Sequence, residues 1–299
     1  MKGILLVNLG TPAAPTAEAV RSYLAEFLSD PRVVKLPRWL WLPVLNGIVL
    51  RTRPAKSAAK YAEIWMPEGS PLAVYTRRQC EALRVLLPGT QVEYAMRYGD
   101  PAIQATLKSM SDPLVIPLYP QDAESTTDSV ADVLPAGTRM LRDFHDHSGY
   151  IDALAANVRR HWAAHGRGPL LVMSFHGLPR RGAALYETQC RATGALLARA
   201  LALGTGQWRV TFQSRFGYAK WLEPYTQPTL EALAAQGIGR VDVVCPGFVA
   251  DCLETLEEIG ITARQAFLDA GGREFYAVPC LNTSPEWMAT LATISRGMA

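Results

Sequence analysis

The stretch LLVMSFHGLP, residues 170–179, is a continuous apolar run that ends at a histidine and a Gly/Pro turn. A run this short, bounded by Gly168 and Gly177, is typical of a fully buried strand in a parallel sheet. Open α/β sheets bind ligands at the carboxyl ends of their strands. The stretch therefore predicts a buried strand that places His176 at the ligand-binding edge. The alternative is a strand-end histidine that merely satisfies a backbone carbonyl.

Apolar runs of strand length alternate with helical periodicity along the whole chain. Strands are predicted over residues 4–9, 92–97, 114–119 and 138–144, and again over 170–175, 209–213, 241–245 and 274–278. Helices are predicted over 16–28, 55–65, 75–87, 125–133, 150–165, 182–203, 227–235 and 251–270, with further helices from 101 and from 284. This alternation predicts an α/β fold with two parallel sheets of about four strands, each flanked by helices, in domains 1–147 and 148–299.

The composition fits a globular enzyme and excludes several other classes. The chain has 299 residues, of which 49% are hydrophobic, and a formal net charge of +3, which is too small to indicate nucleic-acid binding. Its five cysteines form no CxxC pair, so neither a disulfide framework nor a zinc site is indicated and a reducing cytoplasm is expected. Neither half carries a Gly-rich dinucleotide turn or a P-loop. No segment is apolar over the length that a membrane span requires.

A second informative stretch is CPGFVADCLETLEEI, residues 245–259, which combines a strand end, a Pro-Gly turn and a helix start. On an α-helix Asp251, Glu254 and Glu258 would lie at i, i+3 and i+7, along one face. The helix starts at a strand's carboxyl end, on the same edge as His176. A histidine and a carboxylate at one edge suit proton transfer or capture of a divalent cation. The alternative is a solvated acidic face, because acidic residues also favour helix N-termini.

A third stretch, LPRWLWLPVLNGIVL over residues 36–50, is rich in large apolar side chains, among them Trp39 and Trp41. These residues either cap the core or form an exposed lip for an apolar ligand or a membrane surface. Arg51 and Arg53 follow directly and could pair with carboxylates of a ligand, although such arginines are more often surface charges.

Together these stretches resemble the ferrochelatase family, whose members insert ferrous iron into a porphyrin. SFHGLP at 174–179 is similar to the family's histidine motif, and CPGF at 245–248 with DCLETL at 251–256 is similar to its glutamate motif. Further landmarks follow in the expected order: NLGTP at 8–12, MRYG at 96–99, YPQ at 119–121, STT at 125–127 and FQSRFG at 212–217 with Trp221. The resemblance covers essentially the whole chain.

The resemblance implies a pair of Rossmann-like domains of the class II chelatase type and assigns roles to individual residues. His176 and Glu254 would be catalytic, taking pyrrole protons and contacting Fe2+ transiently, and Asp251 and Glu258 would continue an acidic path for protons or metal. The substrate-binding residues would be Arg51, Tyr61, Arg97, Tyr98, Gln213 and Trp221. The family often shows a π-type widening in the helix that carries the glutamate, which would alter the simple spacing.

The resemblance also implies the partners of the protein. Protoporphyrin IX and ferrous iron would be its substrates, with protoporphyrin favoured because Ala13 stands where coproporphyrin-using relatives have a tyrosine. No cofactor would be required, and no iron-sulfur cluster is expected, because Glu124 stands where cluster-bearing relatives have a cysteine. We expect no nucleic-acid partner, a monomer or homodimer, and a cytoplasmic location with peripheral contact to the inner face of the membrane.

Two alternatives remain open at this point. One is a cobalt or nickel chelatase that acts on another tetrapyrrole, although those relatives tend to carry additional histidines near the metal. The other is a non-catalytic tetrapyrrole-binding protein, which would need an apolar cleft but no paired bases. The chain also departs from the family's usual pattern after Arg181, where residues 182–190 are shorter than the usual insert.

Overall fold

The structure, a computed structural model, describes residues 3–217 and 219–297. The chain forms two compact units. The first runs up to Tyr119, resumes over Ala123–Arg142 and includes the described chain from Leu291, whereas the second comprises Pro120–Asp122 and Asp143–Thr290. The predicted division into domains 1–147 and 148–299 stays a prediction.

The first unit is built on a four-stranded parallel sheet. Its strands are β1 (Gly3–Gly10), β2 (Gln91–Tyr98), β3 (Pro113–Pro117) and β4 (Arg139–Met140), in the order β2-β1-β3-β4. In β1 the four apolar residues from Ile4 to Val7 are completely buried, as expected for a central strand covered on both faces. The fourth strand is shorter than predicted, because beyond Met140 the ladder to β3 continues only through the hydrogen bond from Leu141 N to Val115 O.

Gly10 allows β1 and β2 to end side by side. Its backbone has a φ of +108°, and a Cβ at this position would lie 1.8 Å from the carbonyl oxygen of Tyr98. Because a backbone oxygen cannot move aside cheaply, only glycine fits here. The close approach of Tyr98 therefore explains why glycine begins the Gly-Thr-Pro turn after β1.

Helices surround this sheet, and the apolar segment 36–50 is part of one of them. Leu45 N donates to the carbonyls of Trp41 and Leu42, so the helix continues past Pro43. The expectation that the helix starts at residue 55 was therefore wrong, because the chain is helical from Arg38 onward. The helical elements of this unit are α1 (Ala17–Ser29), α2 (Arg38–Val44), a π-helical turn (Leu45–Val49), α3 (Leu50–Ile64), α4 (Pro71–Leu86), α5 (Ile103–Leu107), a second π-helical turn (Glu124–Asp128) and α6 (Ser129–Ala131).

The second unit repeats the architecture. Its parallel strands are β5 (Leu171–His176), β6 (Trp208–Gln213), β7 (Arg240–Val244) and β8 (Glu274–Ala277), in the order β6-β5-β7-β8. The stretch 170–179 thus supplies a central strand, and two four-stranded parallel sheets confirm the predicted fold class. One core cluster of this unit contains Val172, Val241, Val243, Phe267 and Phe275.

The helices of the second half begin close to where periodicity places them, with one exception. They are α7 (Ser148–His165), α8 (Ala184–Ala200), α9 (Thr226–Ala235), a long π-helix (Glu254–Ala263), α10 (Arg264–Asp269) and α11 (Pro285–Gly297). The predicted continuous α-helix over 251–270 is wrong in detail, because its first ten helical residues from Glu254 are π-helical. Among the described helices, none is both long and apolar enough to cross a membrane.

Candidate active site

The carboxyl ends of three neighbouring strands bring the predicted catalytic residues to one edge of the second unit's sheet. His176 is the last residue of β5, and it pairs in register with Gln213, the last residue of β6. On the other side of β5, β7 ends at Val244 and leads through a Pro-Gly turn to Glu254. Because parallel strands end on the same edge, the sheet itself gathers the histidine and the acidic helix.

The imidazole of His176 is oriented through one of its two nitrogens. Its Nδ1 lies 2.7 Å from the carbonyl oxygen of Gly177. A carbonyl can only accept, so Nδ1 must carry the hydrogen, and in the neutral ring Nε2 keeps a free lone pair. The side chain is half-buried, with the Phe248 ring 6.5 Å from its own. The alternative for His176, a hydrogen bond to a backbone carbonyl, is therefore present but uses only Nδ1. The other nitrogen, Nε2, is left as the basic atom.

Glu254 is the first residue of the π-helix and lies half-buried against Cys252. Burial raises the pKa of the Cys252 thiol well above its usual range, and the nearby Glu254 carboxylate raises it further. Cys252 is therefore a neutral thiol at physiological pH. The acidic residues in the first turn of the π-helix are Glu254 and Glu257, of which Glu257 is buried.

The geometry of an acidic α-helical face, predicted from the i, i+3, i+7 spacing, is wrong. Asp251 precedes the helix, and the hydrogen bonds of a π-helix reach five residues instead of four, so the spacing of an α-helix does not apply. Asp251 is buried, and its Oδ1 accepts from Thr255 Oγ1 (2.9 Å) and Cys280 N (3.2 Å), while its Oδ2 accepts from Asn282 Nδ2 (2.7 Å). These bonds fix the turn before the helix, and a role of Asp251 in an acidic path stays a prediction.

Glu258 is held by donors from the end of β6. Ser214 donates to it twice, from N to Oε1 at 2.6 Å and from Oγ to Oε2 at 2.5 Å, and Gln213 Nε2 lies 3.3 Å from Oε2. Ser214 adopts a φ of +64°, a left-handed conformation that is uncommon for serine and typical of functional sites. Glu258 is thus locked to the strand edge that carries Gln213, and its part in the acidic path stays a prediction.

Gln213 is the centre of a buried hydrogen-bond network. Its Oε1 accepts from Ser174 Oγ at 2.7 Å, and its Nε2 donates to the backbone oxygen of Glu254 at 2.8 Å. The Ser174 hydroxyl also meets Thr226 Oγ1 at 2.8 Å. Sequence reasoning missed Ser174, Ser214 and Thr226, although a serine inside the apolar run, two residues before His176 and so on the same strand face, was a readable signal.

The predicted site residues Arg97 and Tyr98 of the first unit are anchored by a residue that sequence reasoning missed, Asp30. Asp30 Oδ2 accepts from Arg97 Nη2 at 2.7 Å, Tyr98 Oη at 2.8 Å and Ser129 Oγ at 2.7 Å. Burial acts to raise the pKa of Asp30, but the hydrogen bonds from Ser129, Arg32 N and Tyr98, together with the charge of Arg97, outweigh it and lower the pKa. Asp30 is therefore an ionised, buried carboxylate that orients both predicted residues.

The remaining predicted substrate-binding residues differ in exposure. Arg51 is exposed on α3, whereas Tyr61 on the same helix is buried, with its ring edge-on to Trp65 at 6.1 Å. Trp221 forms a bridge to Pro179, and its Nε1 is buried without a hydrogen-bond partner in the part of the chain that the structure describes. A buried donor of this kind is suited to a ligand acceptor. The substrate-binding roles of all six residues stay predictions.

One group of three potential metal ligands occurs within the described ranges, and it includes neither His176 nor Glu254. It consists of Asp143, His145 and Asp146, whose ligand atoms lie within 4.8 Å of one another. His145 Nδ1 is 2.6 Å from Asp143 Oδ1, so a hydrogen bond accounts for the contact between these two. The transient metal contact predicted for His176 and Glu254 stays a prediction.

Comparisons with solved structures support the fold. The chain is similar to SirB from Bacillus subtilis with Fe3+, with a TM-score of 0.57 and 13% identity, covering 100% of this chain and 96% of that chain. It is also similar to CbiX, the terminal enzyme for biosynthesis of siroheme in denitrifying bacteria, with a TM-score of 0.55 and 17% identity, covering 99% of both chains. At these identities the likeness concerns the fold alone.

Comparisons of sequence identify the family. The chain is 58% identical over 311 residues to the ferrochelatase of Azoarcus sp. (strain BH72), covering 97% of this chain and 85% of that protein. It is 56% identical over 317 residues to the ferrochelatase of Aromatoleum aromaticum, covering 98% and 87%. The sequence model of the ferrochelatase family matches residues 1–298. The chain therefore belongs to the ferrochelatase family.

Proposed function

We propose that the protein inserts ferrous iron into protoporphyrin IX to give protohaem, the last step of haem synthesis, as a chelatase of the lyase class. Membership of the ferrochelatase family supports this activity. The structural observation that carries it is that one edge of the sheet has both His176 and the acidic helix that starts at Glu254. The Nε2 of His176 is the basic atom of the imidazole. A protein that only bound a tetrapyrrole would need no such pair.

The reaction explains why an imidazole and a carboxylate are needed together. Free-base porphyrin carries two pyrrole N–H groups, so insertion of one Fe2+ must release two protons to bases and finally to solvent. The lone pair on His176 Nε2 is the proton acceptor of the imidazole. The Glu254 carboxylate is an oxygen ligand that holds a divalent cation and then releases it, and it offers a second proton acceptor.

The experiment that tests this function is anaerobic incubation of the protein with ferrous iron and protoporphyrin IX. We expect the visible absorption bands of the free base to convert to those of the iron porphyrin at a rate proportional to enzyme concentration. Parallel reactions with coproporphyrin III test the preference inferred from Ala13, and reactions with Co2+ or Ni2+ test the alternative metals. Absence of turnover with Fe2+ and both porphyrins would contradict the proposal.

We also propose that the apolar lip on α2 contacts the membrane surface in which porphyrin dissolves. On this helix and the π-turn after it Trp39 is 76% and Ile48 59% exposed, whereas Trp41 is anchored inward by a 2.6 Å bond from its Nε1 to Leu28 O. Residues 31–62 contain seven lysines and arginines and no acidic residue. An exposed apolar helix in a basic segment is typical of peripheral binding to anionic lipid.

Liposome flotation tests this contact. We expect wild-type protein to float with vesicles that contain anionic lipid and to float less with neutral vesicles. The variant Trp39→Ala/Ile48→Ala should lose most of the floating fraction. Val85→Ala is a matched control, because Val85 is 80% exposed on α4, outside the lip. Wild-type protein that stays entirely in the soluble fraction would contradict the contact.

The remaining proposals concern location, cofactors and assembly. We propose a cytoplasmic protein at the inner face of the membrane that is active without a resident cofactor or iron-sulfur cluster, as a monomer or homodimer. All five cysteines are buried, and burial raises the pKa of Cys80 to about 11, which fits thiols kept reduced and protonated. Analysis of iron and acid-labile sulfide, with light scattering after size-exclusion chromatography, tests cofactor content and assembly.

A further inference from the structure

The side chain of Gln213 is fully engaged with other parts of the protein. It is 4% exposed, its carbonyl oxygen accepts from Ser174, and its amide nitrogen donates to the backbone of Glu254 and lies within reach of Glu258. An amide has two donor hydrogens and an oxygen acceptor. Both donors and the acceptor therefore have partners, and a substrate contact would require one of these bonds to break.

The position of Gln213 links the two predicted catalytic residues through the protein. Its Cα pairs with that of His176 on the neighbouring strand, and its backbone oxygen accepts from Gly177 N at 2.8 Å. The same residue therefore contacts the turn that orients the imidazole and, through its side chain, the first residue of the π-helix. Rigid contacts of this kind can fix the spacing of two reacting groups, and a small number of them is enough.

Resting on the proposed function, we propose that Gln213 is a positioning residue for metal insertion: it sets the place of the Glu254 carboxylate relative to His176. Ser214 completes the connection, because its left-handed backbone directs both its N–H and its hydroxyl to Glu258, one helical turn beyond Glu254. On this proposal Gln213 acts through Glu254, in place of the substrate contact that the sequence predicts for it.

The first test is Gln213→Met, which keeps the approximate volume and removes all side-chain hydrogen bonds. We expect kcat to fall about 10- to 100-fold while the KM for porphyrin stays unchanged, because misplaced catalytic groups cost rate rather than binding. Gln189→Met is the matched control: Gln189 is also buried in this unit and accepts from Asp122 N at 2.6 Å, without a hydrogen bond to Ser174, Glu254 or Glu258. It should lose stability but keep kcat. A rise in porphyrin KM at unchanged kcat for Gln213→Met would mean a substrate contact and overturn the proposal.

The second test uses pH and works even if Gln213→Met does not fold. In Gln213→Glu the introduced carboxyl, when protonated, can accept from Ser174 and donate to Glu254 O as the amide does. When ionised, the introduced carboxyl has no donor and repels Glu258. This repulsion raises the pKa of the introduced carboxyl. We expect the ratio of variant to wild-type kcat to increase as the pH is lowered from about 8 to 6.

A kcat ratio that does not change with pH, or one that falls in acid, would overturn the positioning role. Gln189→Glu provides the baseline for a buried carboxyl elsewhere in the unit. Failure of wild-type protein in the same assay would contradict the proposed function instead, so the two failures are distinguishable.

Discussion

The carbonyl of Gly177 orients the imidazole of His176, its predecessor in the chain, across 2.7 Å. The direction of the basic Nε2 therefore depends on the backbone of the turn that ends β5. Gly177 N in turn donates to the carbonyl of Gln213, so the turn is fixed against β6. The reactivity of the histidine is thus determined by main-chain geometry as well as by its own side chain.

Gly177→Ala should disturb this turn. A Cβ on Gly177 would lie 2.5 Å from the backbone oxygen of Gln213 and 3.3 Å from the Trp221 ring, so the turn must shift. We expect the free energy of unfolding to fall by about 1–3 kcal/mol and kcat to fall with it. Urea denaturation and initial rates measure the two effects. Gly47→Ala is the control, because a Cβ there meets nothing within 4 Å, and equal losses in both variants would contradict the clash.

His176→Ala and Glu254→Gln should each abolish most iron insertion and leave porphyrin bound. General acid-base groups contribute about 10²- to 10⁴-fold to rate, so losses of that size are expected in kcat for either variant. Quenching of tryptophan fluorescence measures porphyrin binding independently of turnover. Wild-type turnover in both variants would remove the catalytic roles from these residues.

Asp30→Asn should destabilise the first unit in a pH-dependent manner. The pKa of Asp30 is lower in the folded than in the unfolded chain, so its stabilising contribution is present above the unfolded pKa of about 3.9 and is lost as pH falls through the folded pKa. We expect a loss of about 3 kcal/mol at pH 7, because the Arg97 side chain, only 15% exposed, keeps its charge without its partner. The free-energy difference between variant and wild type should shrink below pH 4.

Asp132→Asn is the matched control for Asp30. Asp132 also pairs with an arginine, Arg32, at 2.7 Å, but this pair is substantially exposed. Solvent screens such a pair, so the expected loss in the free energy of unfolding is below about 1 kcal/mol. Equal losses for the two variants would contradict the assignment of Asp30 as the buried anchor of Arg97 and Tyr98.

Acid should destabilise the second unit through His161. Burial and the neighbouring His165 lower the pKa of His161, whose Nε2 is buried without a partner among the described residues. The Tyr276 ring lies 5.9 Å away, and the charges of Asp242 and Arg240 act on the group in opposite directions. In the folded chain His161 resists protonation. Its contribution to the free energy of unfolding is therefore fully present above the unfolded pKa of about 6.5 and falls as the pH drops below that value.

His161→Phe removes the titrating group and keeps a ring. We expect its free energy of unfolding to change less between pH 7.5 and pH 5.5 than that of wild type, as measured by urea denaturation at each pH. His165→Gln should reduce the same pH dependence in part, because it removes the neighbouring imidazole that lowers the pKa of His161. A pH dependence identical to wild type in His161→Phe would contradict this source of acid sensitivity.

The strands were predictable from the sequence because a buried parallel strand has a continuous apolar run, and β1 and β5 are of this kind. The position of His176 at a strand end followed from the same run. Glu254 and the possibility of a π-helix were predicted from the resemblance to the family motif. Residue spacing alone predicted an α-helix there. The prolines near Trp39 suggested breaks, but the helix passes Pro43 because one amide bonds to two carbonyls.

The anchoring residues were not predictable, because they depend on contacts between distant parts of the chain. Asp30 meets Arg97 across 67 positions and Ser129 across 99, and nothing in its local sequence distinguishes it from a helix-terminal surface aspartate. The left-handed backbone of Ser214 is equally invisible, since serine carries no preference for it. Local patterns therefore locate the reacting groups, whereas tertiary contacts determine how those groups are held.

The π-helix from Glu254 to Ala263 makes chain length at this place as important as residue identity. Deleting one residue would let the segment rewind as an α-helix, whose hydrogen bonds span four residues instead of five, and this rewinding would change the direction in which Glu254 faces relative to α10. Glu254 would leave the amide of Gln213 although every named side chain were still present. Substitutions leave this register intact, whereas an insertion or a deletion changes it.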